Sequence, residues 1–140
     1  MDDSKIKQLA IRYLARPVSE KKLVDYLEKK GASAEFIDDF LKQARENGWV
    51  DDEHLGRRIV EECGAKFFGP ARIKIELLKK GIPEGLSDRL VTEALEKKGE
   101  SERLAEALAA FPDSNRGRLY RRLLRHGFDE TLVTDKIENR

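Results

Sequence analysis

Five arginines crowd into "NRGRLYRRLLRHGF", residues 115 to 128, with no acid before Gly127: Arg116, Arg118, Arg121, Arg122 and Arg125. A guanidinium presents a rigid fork of donors that meets a phosphate or a carboxylate through two parallel hydrogen bonds, so this segment could grip an anionic partner. Most charge runs are only solvated helix faces, and that alternative stays open here. A second basic stretch, "FFGPARIKIELLKKGI" (residues 67 to 82), sets Arg72, Lys74, Lys79 and Lys80 against the single acid Glu76. Arg72, Lys74, Lys79, Lys80, Arg118, Arg121, Arg122 and Arg125 form the predicted binding ridge.

Other chemistries find too few residues. A phosphate-cradling loop needs several glycines opening a helix after a strand, or a closing Lys-Ser/Thr, and "FFGPARIK" has neither. Asp51-Asp52-Glu53-His54 could be hard-metal ligands, but acids in a first helical turn are what the helix dipole favours anyway. One cysteine, Cys63, and two histidines, His54 and His126, cannot complete a closed zinc site. Ser19, Ser33, Ser87 and Ser114 suit caps or exposed positions, and Cys63 lies on an apolar helix face. No catalytic residue, metal or cofactor is expected, and the chain does not read as an enzyme.

The whole-chain balance limits the partner. Lys+Arg 28 against Asp+Glu 27 in 140 residues leaves a net charge of +1, so long-range attraction cannot make this a general polyanion binder. Contacts must come from local patches. The length suits one domain or a short row of small modules. A lone cysteine fits a reducing compartment, and "MDDSKIKQLAIRYLARP" holds no apolar run long enough for a signal peptide or membrane span. A soluble, cytoplasmic protein acting as a monomer is expected.

The elements that must carry these side chains repeat. Lys29-Lys30-Gly31, Lys79-Lys80-Gly81 and Arg125-His126-Gly127 are related by spacings of 50 and 46 residues. The fourth residue before each glycine is Leu27, Leu77 or Leu123 and the eighth is Leu23, Ile73 or Leu119, one face of a helix. The fifth residue after is Phe36, Leu86 or Leu132, and the tenth is Leu41, Val91 or Ile137, with Phe40 and Leu90 between them in the first two copies, which marks a second helix. A further amphipathic segment precedes each pair: Ile6, Leu9, Ala10, Tyr13 and Leu14; Leu55, Ile59, Val60 and Cys63; Leu104, Leu108 and Phe111. No alternating strand pattern competes. The prediction is an all-α chain of three tandem three-helix repeats, residues 1–48, 49–98 and 99–140, each lending its neighbour a buried face.

Punctuation follows the same plan. Ser19, Ser33, Asp51, Ser101, Ser114 and Asp129 precede apolar-periodic runs and are expected N-caps. Pro70 and Pro83 suit first helical turns, while Pro17 and Pro112 end the segments before them. Gly31, Gly81 and Gly127 are expected in the left-handed conformation that stops a helix. Charge is sorted between helices too. Residues 19–31, 70–81 and 115–127 carry +1, +3 and +5, whereas 32–47, 83–98 and 128–140 carry −2, −1 and −2.

Three stretches resemble the RecX family, bacterial regulators that restrain the RecA recombinase. "LVDYLEKKGASAEFIDDFLKQARENGWVDDEHLGRRIV", residues 23 to 60, is similar to the family's first repeat and its junction, carried by Gly48, Trp49, Asp51 and Asp52. "GPARIKIELLKKGI", residues 69 to 82, matches the pattern Gly-Pro-x-Arg-Ile-x-x-Glu-Leu-x-x-Lys-Gly-Ile through Gly69, Pro70, Arg72, Ile73, Glu76, Leu77, Lys80, Gly81 and Ile82. "GRLYRRLLRHGFDETLVTDKIEN" resembles the weaker C-terminal copy. The resemblance implies an elongated, curved array that lodges on the RecA filament on single-stranded DNA and lowers its growth, ATP hydrolysis and strand exchange. It implies no nucleotide site in the regulator itself. Asp51, Asp52, Gly69, Pro70 and Gly81 are then expected to serve the fold as caps, turns and joints. A free-standing DNA-binding helical protein and a generic protein-interaction scaffold are the alternative readings.

Overall fold

The computed structural model describes residues 2 to 139, and every regular element among them is an α-helix. In order these are α1 (Asp3–Tyr13), α2 (Glu20–Lys29), α3 (Ala34–Glu46), α4 (Asp52–Ala65), α5 (Pro70–Lys79), α6 (Glu84–Lys97), α7 (Glu100–Ala110), α8 (Arg116–Arg125) and α9 (Glu130–Glu138). The all-α expectation holds. The chain divides into two units: Met1–Gly56 with Lys80–Ile82, and Arg57–Lys79 with Pro83–Arg140.

Caps set the helix starts. Ser19, Ser33, Asp51 and Asp129 accept from the amides of Lys22, Phe36, His54 and Leu132 at 3.0–3.1 Å, each satisfying a donor that the first helical turn leaves open. Two expected caps are displaced. Asn115, not Ser114, caps α8, because its carboxamide oxygen reaches the Arg118 amide at 2.9 Å. Ser101 lies inside α7, which begins one residue earlier at Glu100 after Gly99, where acids meet the positive end of the helix dipole. Pro70 opens α5 as expected, but Pro83 precedes α6 instead of lying in it.

The first unit closes over Ile6, Ala10, Leu23, Leu27, Ile37, Phe40, Ala44 and Val50. Tyr13 and Tyr26 stack at 4.1 Å on its edge. The second unit buries Leu104, Ala107, Phe111, Leu119, Leu123, Phe128, Val133 and Ile137 in one cluster, with Ile73, Leu77 and Leu90 also buried. Each fully buried aliphatic side chain contributes about 1.5–3 kcal/mol. The helices after the glycines bury part of the expected set: Ile137, Phe40 and Leu90 are buried, while Leu41 and Val91 are half-buried. Phe36, Leu86 and Leu132 are only half-buried, and the sixth residues, Ile37, Ser87 and Val133, face inward. Ser87 is therefore fully buried, against the expectation of a cap or an exposed position, because it occupies the place that Ile37 and Val133 hold in their helices.

Candidate interaction surface

Leu119 and Leu123 anchor α8 and turn its opposite side outward. Arg118, Arg121 and Arg125 are exposed there, while Arg116, also exposed, lies on the Leu119 side beside a cleft it lines with Leu119 and Ile137. Arg118 donates Nε–H to Asp113 at 3.1 Å, and the Asp113 carboxyl is held below its usual range by the Asn115 amide and by Arg118. Among the described residues Arg116, Arg121 and Arg125 have no ion-pair partner. Three unit charges, Arg118, Arg121 and Arg125, thus project from one face of a ten-residue helix, and only Arg118 is locally compensated.

Arg122 has a different task. Its guanidinium lies over the Phe111 ring, 3.6 Å from the centroid, where the ring quadrupole attracts a cation. Phe111 also meets Phe67 and His126 edge-on, with centroids 5.8 and 5.0 Å apart. Phe67 adopts φ +62°, uncommon for an aromatic residue, and this brings its carbonyl within 3.1 Å of His126 Nδ1. Burial pushes the His126 pKa below its ordinary value. The Phe67 carbonyl opposes that shift, and Arg122, Arg72 and Arg125 reinforce it.

The predicted bases on α5 are largely engaged. Arg72 Nε bonds Glu76 at 2.9 Å, its Nη1 donates to the Arg125 carbonyl at 3.0 Å, and its guanidinium covers Phe68 at 4.4 Å. The Arg72 hydrogen bond is the main reason the Glu76 carboxyl titrates low. Lys74 reaches Asp88 at 2.8 Å and Glu84 at 3.4 Å, hydrogen bonds that raise its pKa. Lys79 lies 3.7 Å from Glu76. Lys80 is exposed and belongs to the first unit, with Gly81 and Ile82. Of the eight predicted ridge residues, Arg118, Arg121 and Arg125 share the outer face of α8, and Arg72 and Arg122 are drawn into joints.

Those joints occupy the expected structural residues. The Gly69 amide donates to the His126 carbonyl at 2.6 Å and the Ala71 amide to the Gly127 carbonyl at 3.2 Å, so the start of α5 is capped by the turn after α8. A Cβ on Gly69 would sit 2.7 Å from the Gly127 oxygen, and a Cβ on Gly127 would overlap the Arg72 backbone. Pro70, as the first residue of α5, lacks an amide hydrogen there at no cost. In the first unit the Asp52 carboxylate accepts from the Glu20 amide at 3.0 Å, and burial raises its pKa. Asp51 caps α4. A Cβ on Gly81, whose φ is +87°, would overlap Ser19 Oγ. Sequence reasoning gave His126, Phe67, Phe68 and Phe111 no part in these joints; the adjacency Phe67-Phe68-Gly69-Pro70 was the one available signal.

Cys63 is buried, and burial raises its pKa to about 11, so the thiol stays protonated and inert. Among the described residues no group of three or more His, Cys, Asp or Glu could hold a metal, and no helix is long and apolar enough to cross a membrane.

No family model matches the chain. It is similar to the regulatory protein RecX of Caldanaerobacter subterraneus subsp. tengcongensis, at 30% identity over 126 residues, covering 88% of this chain and 64% of that one. It is also similar to the regulatory protein RecX of Geobacillus kaustophilus, at 31% identity over 144 residues, covering 92% of this chain and 51% of the other. The chain thus spans about half to two thirds of the length of these relatives. The crystal structure of RecX from Lactobacillus salivarius shares its fold with a TM-score of 0.76 at 24% identity, covering 98% of this chain and 94% of that one.

Proposed function

The chain belongs to the RecX family of regulatory proteins, and on that premise we propose that it inhibits the RecA recombinase by binding the RecA filament on single-stranded DNA. Occupancy of the filament limits its growth, its ATP hydrolysis and its recombination activity. The protein acts in the cytoplasm as a binder, without catalysis or cofactor of its own. The reading includes a plan of three three-helix repeats, residues 1–48, 49–98 and 99–140. Gly31, Gly81 and Gly127 support it by ending α2, α5 and α8 at φ +81°, +87° and +91°.

The observation that carries the proposal is the outer face of α8. Arg121 and Arg125 stand exposed there with no carboxylate paired to them among the described residues, beside Arg118. Forked donors so placed meet the phosphates of a DNA strand or the carboxylates of the protein coating it. A net charge of +1 gives little long-range pull toward bare DNA. The filament, which offers both kinds of anion together, is then the favoured target.

The test is the rate of single-stranded-DNA-dependent ATP hydrolysis by RecA as this protein is added from far below to equal stoichiometry. A fall at substoichiometric amounts is expected for a protein that caps or breaks filaments. An unchanged rate up to equal amounts overturns the proposal. Salt-dependent binding of the protein to bare single strands would then make α8 a DNA-binding surface in its own right.

A further inference from the structure

We propose that the cleft at the start of α8 receives the Lys29–Ala32 turn of a second copy of this chain, giving weak head-to-tail association. The inference goes beyond the RecA reading and rests on joints that the chain already makes twice. In the second unit the turn at Gly127 seats against the first turn of α5, through Gly69 N to His126 O at 2.6 Å and Ala71 N to Gly127 O at 3.2 Å. In the first unit the turn at Gly81 seats against the first turn of α2, so closely that a Cβ on Gly81 would overlap Ser19 Oγ and lie 3.2 Å from Lys22 Cγ. Both acceptor positions are buried, Ser19 completely.

One turn and one helix start are left over. Among the described residues nothing lies within 4 Å of a Cβ at Gly31, although its φ of +81° gives it the backbone of the two docked turns. Asn115, Arg116 and Gly117, at the start of α8, are exposed where Ser19 and Gly69 are covered. That start opens onto a cleft lined by Pro112, Asp113, Ser114, Arg116, Leu119 and Ile137. Leu119 stands eight residues before its glycine, as Leu23 and Ile73 do before theirs, so the cleft lies in the register of the filled joints.

Charge and size set the strength. Lys29 and Lys30 would enter beside Asp113, whose carboxylate they would share with Arg118. Arg116 on the same cleft opposes them. Ala32 occupies the place where Ile82 and Phe128 are buried after their glycines, so less apolar surface is removed from water. A weak contact of this kind leaves dilute protein monomeric, as the sequence suggests, and associates it at high concentration. Because the contact is head-to-tail it leaves a free end on each assembly.

Sedimentation velocity of the full chain from about 1 µM to about 1 mM tests this, with Gly31→Asn and Ser114→Trp beside the parent. Asparagine tolerates the left-handed turn yet places a side chain at the docking point, and tryptophan at exposed Ser114 fills the cleft. The parent's mean sedimentation coefficient is expected to rise with concentration, and each variant alone to need at least about tenfold more protein for the same rise. An equimolar mixture of the two variants is expected to recover dimers and nothing larger, since each keeps the end that the other has lost. A parent that stays monomeric throughout, variants that associate as the parent does, or a mixture that fails to recover dimers would each overturn the proposal.

Discussion

Arg72 reaches from α5 to donate its Nη1–H to the carbonyl oxygen of Arg125, 3.0 Å away at the end of α8. The two residues look alike in the sequence, as bases on corresponding helices one repeat apart. In the structure one is a joint and the other an exposed cation. Arg125 contributes its backbone to the joint and its side chain to solvent, so the two side chains can be separated experimentally.

Arg72→Ala removes a charge-assisted bond to a carbonyl, an ion pair with Glu76 and a stack on Phe68. A loss of about 1–2 kcal/mol in urea unfolding is expected. Arg125→Ala leaves the carbonyl in place, and a change within about 0.5 kcal/mol is expected. Equal losses would place Arg125's side chain in the joint as well.

Gly127 and Gly31 share a left-handed backbone but not surroundings. Alanine at either position meets the conformational cost of roughly 1 kcal/mol. At Gly127 the methyl group also overlaps the Arg72 backbone. Gly127→Ala is expected to destabilise by at least about 2 kcal/mol more than Gly31→Ala in denaturant titrations. Similar losses for the two would show that the turn after α8 is not held against α5.

His126 predicts a pH dependence whose sign follows from its environment. Its folded pKa is lowered, first by burial, from an unfolded value of about 6.5. The native state therefore binds this proton less readily than the unfolded chain does. The contribution is fully present above about 6.5 and is lost as pH falls through the unfolded pKa toward the folded one. His126→Phe keeps a ring against Phe68 and Phe111 and removes the titration. The stability difference between parent and variant, measured by thermal unfolding at several pH values, should move in the variant's favour between about pH 7 and pH 5. A difference independent of pH would show that His126 titrates as it does in the unfolded chain.

Glutamate at Arg121 and Arg125 together reverses the exposed face of α8 and leaves the stack of Arg122 on Phe111 untouched. Helical circular dichroism and the unfolding midpoint are expected to stay close to the parent's. Inhibition of RecA's ATP hydrolysis is expected to weaken at least about tenfold in the concentration required. Inhibition at full strength would move the contact surface away from α8.

The division between sequence and fold can be traced residue by residue. Helical periodicity, the caps at Ser19, Ser33, Asp51 and Asp129, and the left-handed glycines were legible because each depends on neighbours within about one helical turn. The buried sixth residue after each of those glycines was not, and Ser87 shows why. A serine reads as polar in isolation, yet its place in the helix packs it inward where Ile37 and Val133 stand. The joint of Phe67, Phe68, Gly69 and Arg72 with Phe111, Arg122 and His126 lay beyond reach for the same reason. Those partners are separated by more than forty residues, and no local pattern records which carbonyl a guanidinium will meet. The sequence by itself determined that the chain is helical, where most helices begin and end, and that its basic charge gathers on α5 and α8. Only the tertiary structure decided which of those charges are free. An arginine's availability is set by the carboxylates, rings and carbonyls that packing brings within about 4 Å, and packing is a property of the whole fold.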